Sequence, residues 1–110
     1  MSTDTDRIRL LNDQLRQHLE CGGGAVMTAG IAALGSEAVQ RLVQTIAVFD
    51  NFCTANDPHG EHDFGAFEFE GAQVFFKIDY YDKNLRFGSE DPADPEQTTR
   101  VLTVMLADEY

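Results

Sequence analysis

The 110-residue chain has no tryptophan, only two cysteines and three prolines, and eight basic residues against nineteen acidic ones. No apolar run approaches the roughly 18 residues of a membrane-crossing helix. The shortage of Lys and Arg argues against binding nucleic acid or an anionic membrane surface. Cys21 and Cys53 are too few for a disulfide-built scaffold; in a reducing cytosol both are expected as free thiols, although a bridge between them stays open. The start, Met1-Ser2-Thr3-Asp4-Thr5-Asp6, lacks the basic and apolar character of a signal peptide, so a cytoplasmic protein is expected. What is present is enough for a core: 28 residues are Leu, Ile, Val or Phe. Residues 1–110 are expected to form a single domain.

The formal net charge of −11 is concentrated. Residues 50–96 hold twelve acids and three bases, and with Phe49 added the same stretch holds all eight Phe plus Tyr80 and Tyr81. An aromatic core under an acidic skin accounts for this, and so does a shaped acidic binding face.

Periodicity supplies the elements. Ile8, Leu11, Leu15 and Leu19 recur at helical spacing and predict an amphipathic helix from Asp6 to Glu20. Gly22-Gly23-Gly24 stops it and lacks the Lys-Ser/Thr of a phosphate loop. Ala25 to Thr28 reads as a strand, and Ile31 to Leu34 as either a turn of helix or a loop. Ser36 is the expected N-cap of a second helix with Val39, Leu42, Val43 and Ile46 inward. Asn51 to Gly65 is loop. Ala66–Glu70 and Gln73–Asp82 alternate around a glycine turn, which predicts a β-hairpin with Val74, Phe76, Ile78 and Tyr80 on one face. Glu68 or Glu70 is expected to face Lys77 across it. Leu85 to Gly88 offers a short further strand. Asp94-Pro95-Glu96-Gln97 carries a capping-box pattern and predicts a third helix burying Thr98, Val101, Leu102 and Met105. The expected fold class is α+β: a small antiparallel sheet, hairpin 66–82 plus one or two short strands, packed by three helices on one face.

One loop holds metal-ligand residue types densely: Asn56-Asp57-Pro58-His59-Gly60-Glu61-His62-Asp63-Phe64-Gly65. Imidazoles at His59 and His62 with the carboxylate of Asp63 suit a divalent transition metal. Glu61 would then be the general base on bound water, with Asp79 or Asp82 completing the site. The order His-Gly-Glu-His is not the helical zinc pattern, and Gly60 breaks a helix. Asp57-Pro58-His59-Gly60 equally reads as a β-turn, with a side-chain acceptor first, Pro second and Gly fourth. His18, beside Leu15 and Leu19, reads as a surface residue.

That loop, together with Lys77-Ile78-Asp79-Tyr80-Tyr81-Asp82, Ser89 to Pro95 and the closing Met105-Leu106-Ala107-Asp108-Glu109-Tyr110, resembles a family of small bacterial proteins labelled a domain of unknown function. The resemblance runs from Arg7 to Tyr110. It implies a bacterial cytosolic protein, with members often among plasmid or phage genes, and carries no activity, cofactor or catalytic residue with it.

Two functions follow as expectations. The first is a non-enzymatic acidic binding protein, in its concrete form a mobile-element inhibitor of the anti-CRISPR or anti-restriction type. It would contact a protein partner with a basic, nucleic-acid-binding surface through Asp57, Glu61, Asp63, Asp79, Asp82, Glu90 and Asp91, without a cofactor. The second is a metal-dependent hydrolase or metal-binding protein using His59, His62 and Asp63.

Overall fold

Strict alternation at the middle of the chain builds the middle of the molecule. The computed structural model describes residues 4–19 and 25–110. Their elements are α1 (Asp4–Gln17), β1 (Ala25–Met27), α2 (Ala29–Ala32), α3 (Ser36–Val48), β2 (Phe64–Phe69), β3 (Ala72–Tyr81) and β4 (Thr99–Leu106), closed by a 3₁₀ turn over Ala107–Glu109. The four strands form one sheet in the order β1-β4-β3-β2. Val74, Phe76 and Ile78 of β3 are buried, while Phe75, Lys77 and Asp79 between them are half-buried, as a period of two requires.

The hairpin forms as expected, with its ends moved by a residue or two. Phe69 lies opposite Ala72, so the turn is the pair Glu70–Gly71, both at positive φ (50° and 87°). A two-residue turn of that kind matches the right-handed twist of its strands. The expected Glu68 or Glu70 contact with Lys77 does not form. Lys77 lies opposite Phe64 and pairs with Asp79 at 3.3 Å. Glu70 instead meets Arg41 of α3.

The predicted third helix is the largest correction. The residues after Gln97 are β4, paired antiparallel with β3 along its length. The capping chemistry itself is real: the Asp94 carboxylate accepts the Glu96 N–H at 2.9 Å and the Gln97 side-chain amide at 2.8 Å. It closes a turn rather than opening a helix. Thr98, Thr99, Val101, Thr103 and Val104 are β-branched and fit a pleated surface better than a helix, and Leu102 and Val104 alternate into the core. The sheet is mixed, not purely antiparallel, because β1 joins β4 in parallel.

Smaller differences follow. The ambiguous stretch before Leu34 supplies the one-turn α2. Ser36 is the first residue of α3, Gly35 is its cap, and no side-chain cap bond forms. Leu85–Gly88 makes a single bridge, Gly88 to Tyr81, rather than a strand. The glycine stop at 22–24 and Cys21 lie outside the described residues; Cys53 is exposed.

The core joins Leu19, Ile31 of α2, and Ala38, Leu42 and Ile46 of α3 to Phe69, Val74, Phe76, Ile78, Leu102 and Val104 of the sheet. Each such large side chain contributes roughly 1.5–3 kcal/mol by leaving water. Gly65 of β2 is there for closeness: a Cβ at that position would stand 2.2 Å from the Phe76 ring and 2.9 Å from that of Phe49. No helix among the described residues is long and apolar enough to cross a membrane.

Candidate functional site

Helix α1 buries Ile8 and, just past its end, Leu19 as expected, with Leu15 packed against the core, but two polar residues share that face. Its buried residues are Ile8, Asn12 and Arg16, one stripe at a spacing of four. Leu11 and Leu15 are half-buried and Leu10 is exposed. The polar pair on this stripe organises the loop that the sequence singled out.

Arg16 is 3% exposed. One guanidinium nitrogen donates to the carbonyls of Ile46 and Phe49, each at 2.8 Å. These belong to the C-terminal end of α3, where carbonyls run short of backbone donors (Ile46 has only the Phe49 N–H at 3.3 Å) and a cation is favoured. The other donates to Asp13 at 2.7 Å, and the guanidinium lies over the Phe52 ring at 5.1 Å. The Asp13 oxygen that receives Arg16 also meets His62 Nδ1 at 2.9 Å. The His62 ring stacks on Phe52 at 3.8 Å and 4°. Its backbone is left-handed, φ 57°, and its N–H donates to both carboxylate oxygens of buried Asp57. Asp57 also opens the expected turn, accepting the Gly60 N–H on its carbonyl at 3.2 Å. A shallow cavity of about 580 Å³ lies over this pair, lined by Asp13, Arg16, Asp50, Phe52 and His62 with the apolar end of α3.

Asn12 holds the neighbouring stretch. Fully buried, its amide donates to the Glu61 carbonyl at 3.0 Å and to the Tyr80 hydroxyl at 2.8 Å. Its oxygen accepts from Arg100 at 2.8 Å. Tyr80 donates to the Glu61 carboxylate at 3.0 Å, and Arg100 lies over the Tyr80 ring at 5.2 Å. Burial pushes the Tyr80 phenol well above its ordinary pKa of 10.0, with the Glu61 charge adding to the rise. Burial and then the Glu61 charge also raise the Asp63 carboxyl above 3.8.

The residues expected to bind a metal do not converge. Among the described residues no three His, Cys, Asp or Glu side chains group closely enough to hold an ion. His59 is exposed on the turn, while His62 is held by Asp13 and Phe52. His18 is exposed, with Nδ1 against the Gln14 carbonyl.

The acids expected on a contact face are also spread over different tasks. Asp57 is buried on the His62 backbone and Glu61 is engaged by Tyr80. Asp79 pairs with Lys77. Asp91 accepts the Ala93 N–H. Asp82 accepts the N–H groups of Asn84 and Arg86 at 3.0 and 3.1 Å. Glu90 is exposed, as is Glu96.

The chain after β3 forms a projection. Asp82 N–H bonds the Phe87 carbonyl at 2.8 Å, Leu85 N–H the Asp82 carbonyl at 3.0 Å, and Ser89 N–H the Tyr80 carbonyl at 3.0 Å. Leu85 and Phe87 stand on it 58% and 72% exposed. Beside Phe87 lies a cleft of about 470 Å³ that Asp82, Lys83, Glu90, Glu96 and Gln97 also line. Sequence reasoning read Leu85 and Phe87 as strand residues and gave Asn12, Asp13 and Arg16 no role. The signals that could have found them are two large apolar residues between turn-formers, and the stripe from Ile8 through Asn12 to Arg16.

Fold and surface together define an α+β domain with two acidic irregular segments, one folded inward and one projecting. The chain belongs to the family described as Protein of unknown function (DUF3768), whose model matches residues 27–109. The matched span leaves out α1 and with it Asn12, Asp13 and Arg16. No curated protein and no solved structure matches the chain.

Proposed function

We propose that the protein is a small non-enzymatic binding protein that offers an acidic surface to a protein partner with a basic, nucleic-acid-binding surface. Its concrete form is a bacterial, mobile-element-encoded inhibitor of a nuclease, of the anti-CRISPR or anti-restriction type. The observation that carries the reading is where the cations go. Arg16 and Arg100 turn inward onto carbonyls and Asn12, and Arg9, Arg41 and Lys77 are taken up by Asp6, Glu70 and Asp79. Five of the eight bases are thus engaged within the molecule, while acids such as Glu90 and Glu96 stay exposed. Arg7, Lys83 and Arg86 remain exposed, and a surface in net strongly negative steers a complementary partner and repels nucleic acid.

The test is affinity capture from bacterial extract with the tagged protein at low salt, followed by elution with salt and with duplex DNA. The expected result is a basic nucleic-acid-binding protein that leaves steeply as ionic strength rises and is displaced by DNA. A bound protein indifferent to both would overturn the reading.

A second reading, a metal-binding or hydrolytic role for the His59/His62 loop, is favoured by one feature. The Asp13 contact at His62 Nδ1 leaves Nε2 with no hydrogen bond to the described residues, beside an open cavity. A carboxylate at Nδ1 fixes the tautomer in which Nε2 can bind a metal or accept a proton. Elemental analysis of tag-free protein beside His59→Ala/His62→Ala decides it. Stoichiometric metal lost in the variant supports this reading, and metal-free parent protein overturns its metal form.

A further inference from the structure

Resting on the acidic-surface reading, we infer that Leu85 and Phe87 form the apolar anchor of the contact, entering a recess on a partner protein whose rim is basic. Three observations converge on this projection.

The first is exposure without structural use. Phe87 is 72% and Leu85 58% exposed, and neither belongs to the core. Folding gains little from them, whereas aromatic side chains are enriched where proteins meet.

The second is rigidity. The projection is closed by the Asp82–Phe87 and Ser89–Tyr80 backbone bonds and by two N–H groups on the Asp82 carboxylate. Its shape is set before binding, so little ordering cost remains. Leu85 sits at φ 57°, a left-handed conformation that an aliphatic residue adopts at a cost and glycine adopts freely. A leucine kept there holds an apolar side chain on a strained backbone, outside the core.

The third is charge. The cleft beside Phe87 is bounded by three acids, Asp82, Glu90 and Glu96, and one base, Lys83. At a net charge of −11 the chain as a whole repels a second copy of itself, nucleic acid and an anionic lipid surface. A protein segment with Lys or Arg beside an apolar recess meets both the ring and the carboxylates.

The test uses a phage-displayed library of random peptides selected on the full chain. Selected peptides are synthesised and titrated against the parent, Phe87→Ser, Leu85→Ser and Val48→Ser at low and high salt. Val48, 77% exposed on α3, is the control for loss of any exposed apolar residue. The expected peptides carry Lys or Arg next to an apolar residue. Their affinity falls about tenfold or more with Phe87→Ser, less with Leu85→Ser, and stays unchanged with Val48→Ser. Glu90→Gln/Glu96→Gln flattens the salt dependence. Basic peptides that bind Phe87→Ser as well as the parent overturn the anchor and leave the acidic-surface reading standing. Peptides that need Phe87 but carry no basic residue overturn the occupant and the acidic-surface reading together. A selection that enriches nothing overturns the anchor.

Discussion

Segments 49–63 and 82–98 are both irregular and acidic, and they are built in opposite senses. The first turns Asp57, Glu61 and His62 inward. Asp57 and His62 bond one another's neighbourhood, Glu61 meets Tyr80, and the aromatic rings of Phe49 and Phe52 pack edge to face at 4.9 Å. The second spends Asp82, Asp91 and Asp94 on its own backbone and sends Leu85 and Phe87 outward. Position relative to α1 accounts for the difference. Asn12, Asp13 and Arg16 reach the first segment and hold it down. The second is tethered at its base, by Arg100 to the Pro92 carbonyl and by Ser89 to Thr98 at 2.7 Å. Acidic composition therefore says little about whether a loop is scaffold or surface; what decides is which donors stand within reach.

Substitutions can break this contrast. The largest loss is expected from Arg16→Met, which keeps the stem's packing but takes the cation from Asp13 and a donor from the Ile46 and Phe49 carbonyls; urea unfolding should show a loss of about 3 kcal/mol. A loss under about 1 kcal/mol would remove Arg16 as the pin of the inward segment. Asp57→Ala leaves the His62 N–H without its acceptor on a left-handed backbone, for an expected loss of about 1–3 kcal/mol in the same assay. Tyr80→Phe removes a hydroxyl shared by Asn12 and Glu61 and should cost about 1–2 kcal/mol. On the projecting segment the contrast predicts almost nothing. Leu85→Gly should leave stability unchanged or raise it by up to about 1 kcal/mol, and Phe87→Ser should stay within about 0.5 kcal/mol.

The smallest effect sharpens the comparison through pH. The folded pKa of Asp63 lies above its unfolded value, so between the two the folded chain holds the extra proton. Stability from this group is greatest below that window and falls as pH rises through the folded pKa. Asp63→Asn should remove the fall. The melting temperature of the variant relative to the parent is then higher at neutral pH than at about pH 3.

Legibility followed physics in the same way. Alternation around a two-residue turn made β2 and β3 readable, since each side chain's face follows from local pleating. The Asp57–Gly60 turn was readable because Pro58 and Gly60 fix it locally. Residues 98–106 misled because Thr98, Val101, Leu102 and Met105 fit helical spacing while the β-branched residues among them fit a strand. The choice was made by β3 on one side and β1 on the other, partners a local pattern does not contain. Arg16 was passed over because a charged residue is rarely buried, and what permits it is the end of another helix thirty positions away. His59, His62 and Asp63 form no three-residue cluster among the described residues, because neighbours on a loop point in different directions.

The order of the strands has a consequence for synthesis. Strand β4, the last made, lies between β1, the first, and β3. A ribosome that has released residues 1–98 has delivered helices and a hairpin, but β1 has nothing to join and the inner edge of β3 is bare. Such an edge is a template for pairing with other chains. Only when Thr99 to Leu106 emerge does one segment cover both edges at once, so β1 and the hairpin are joined into one sheet in a single late step.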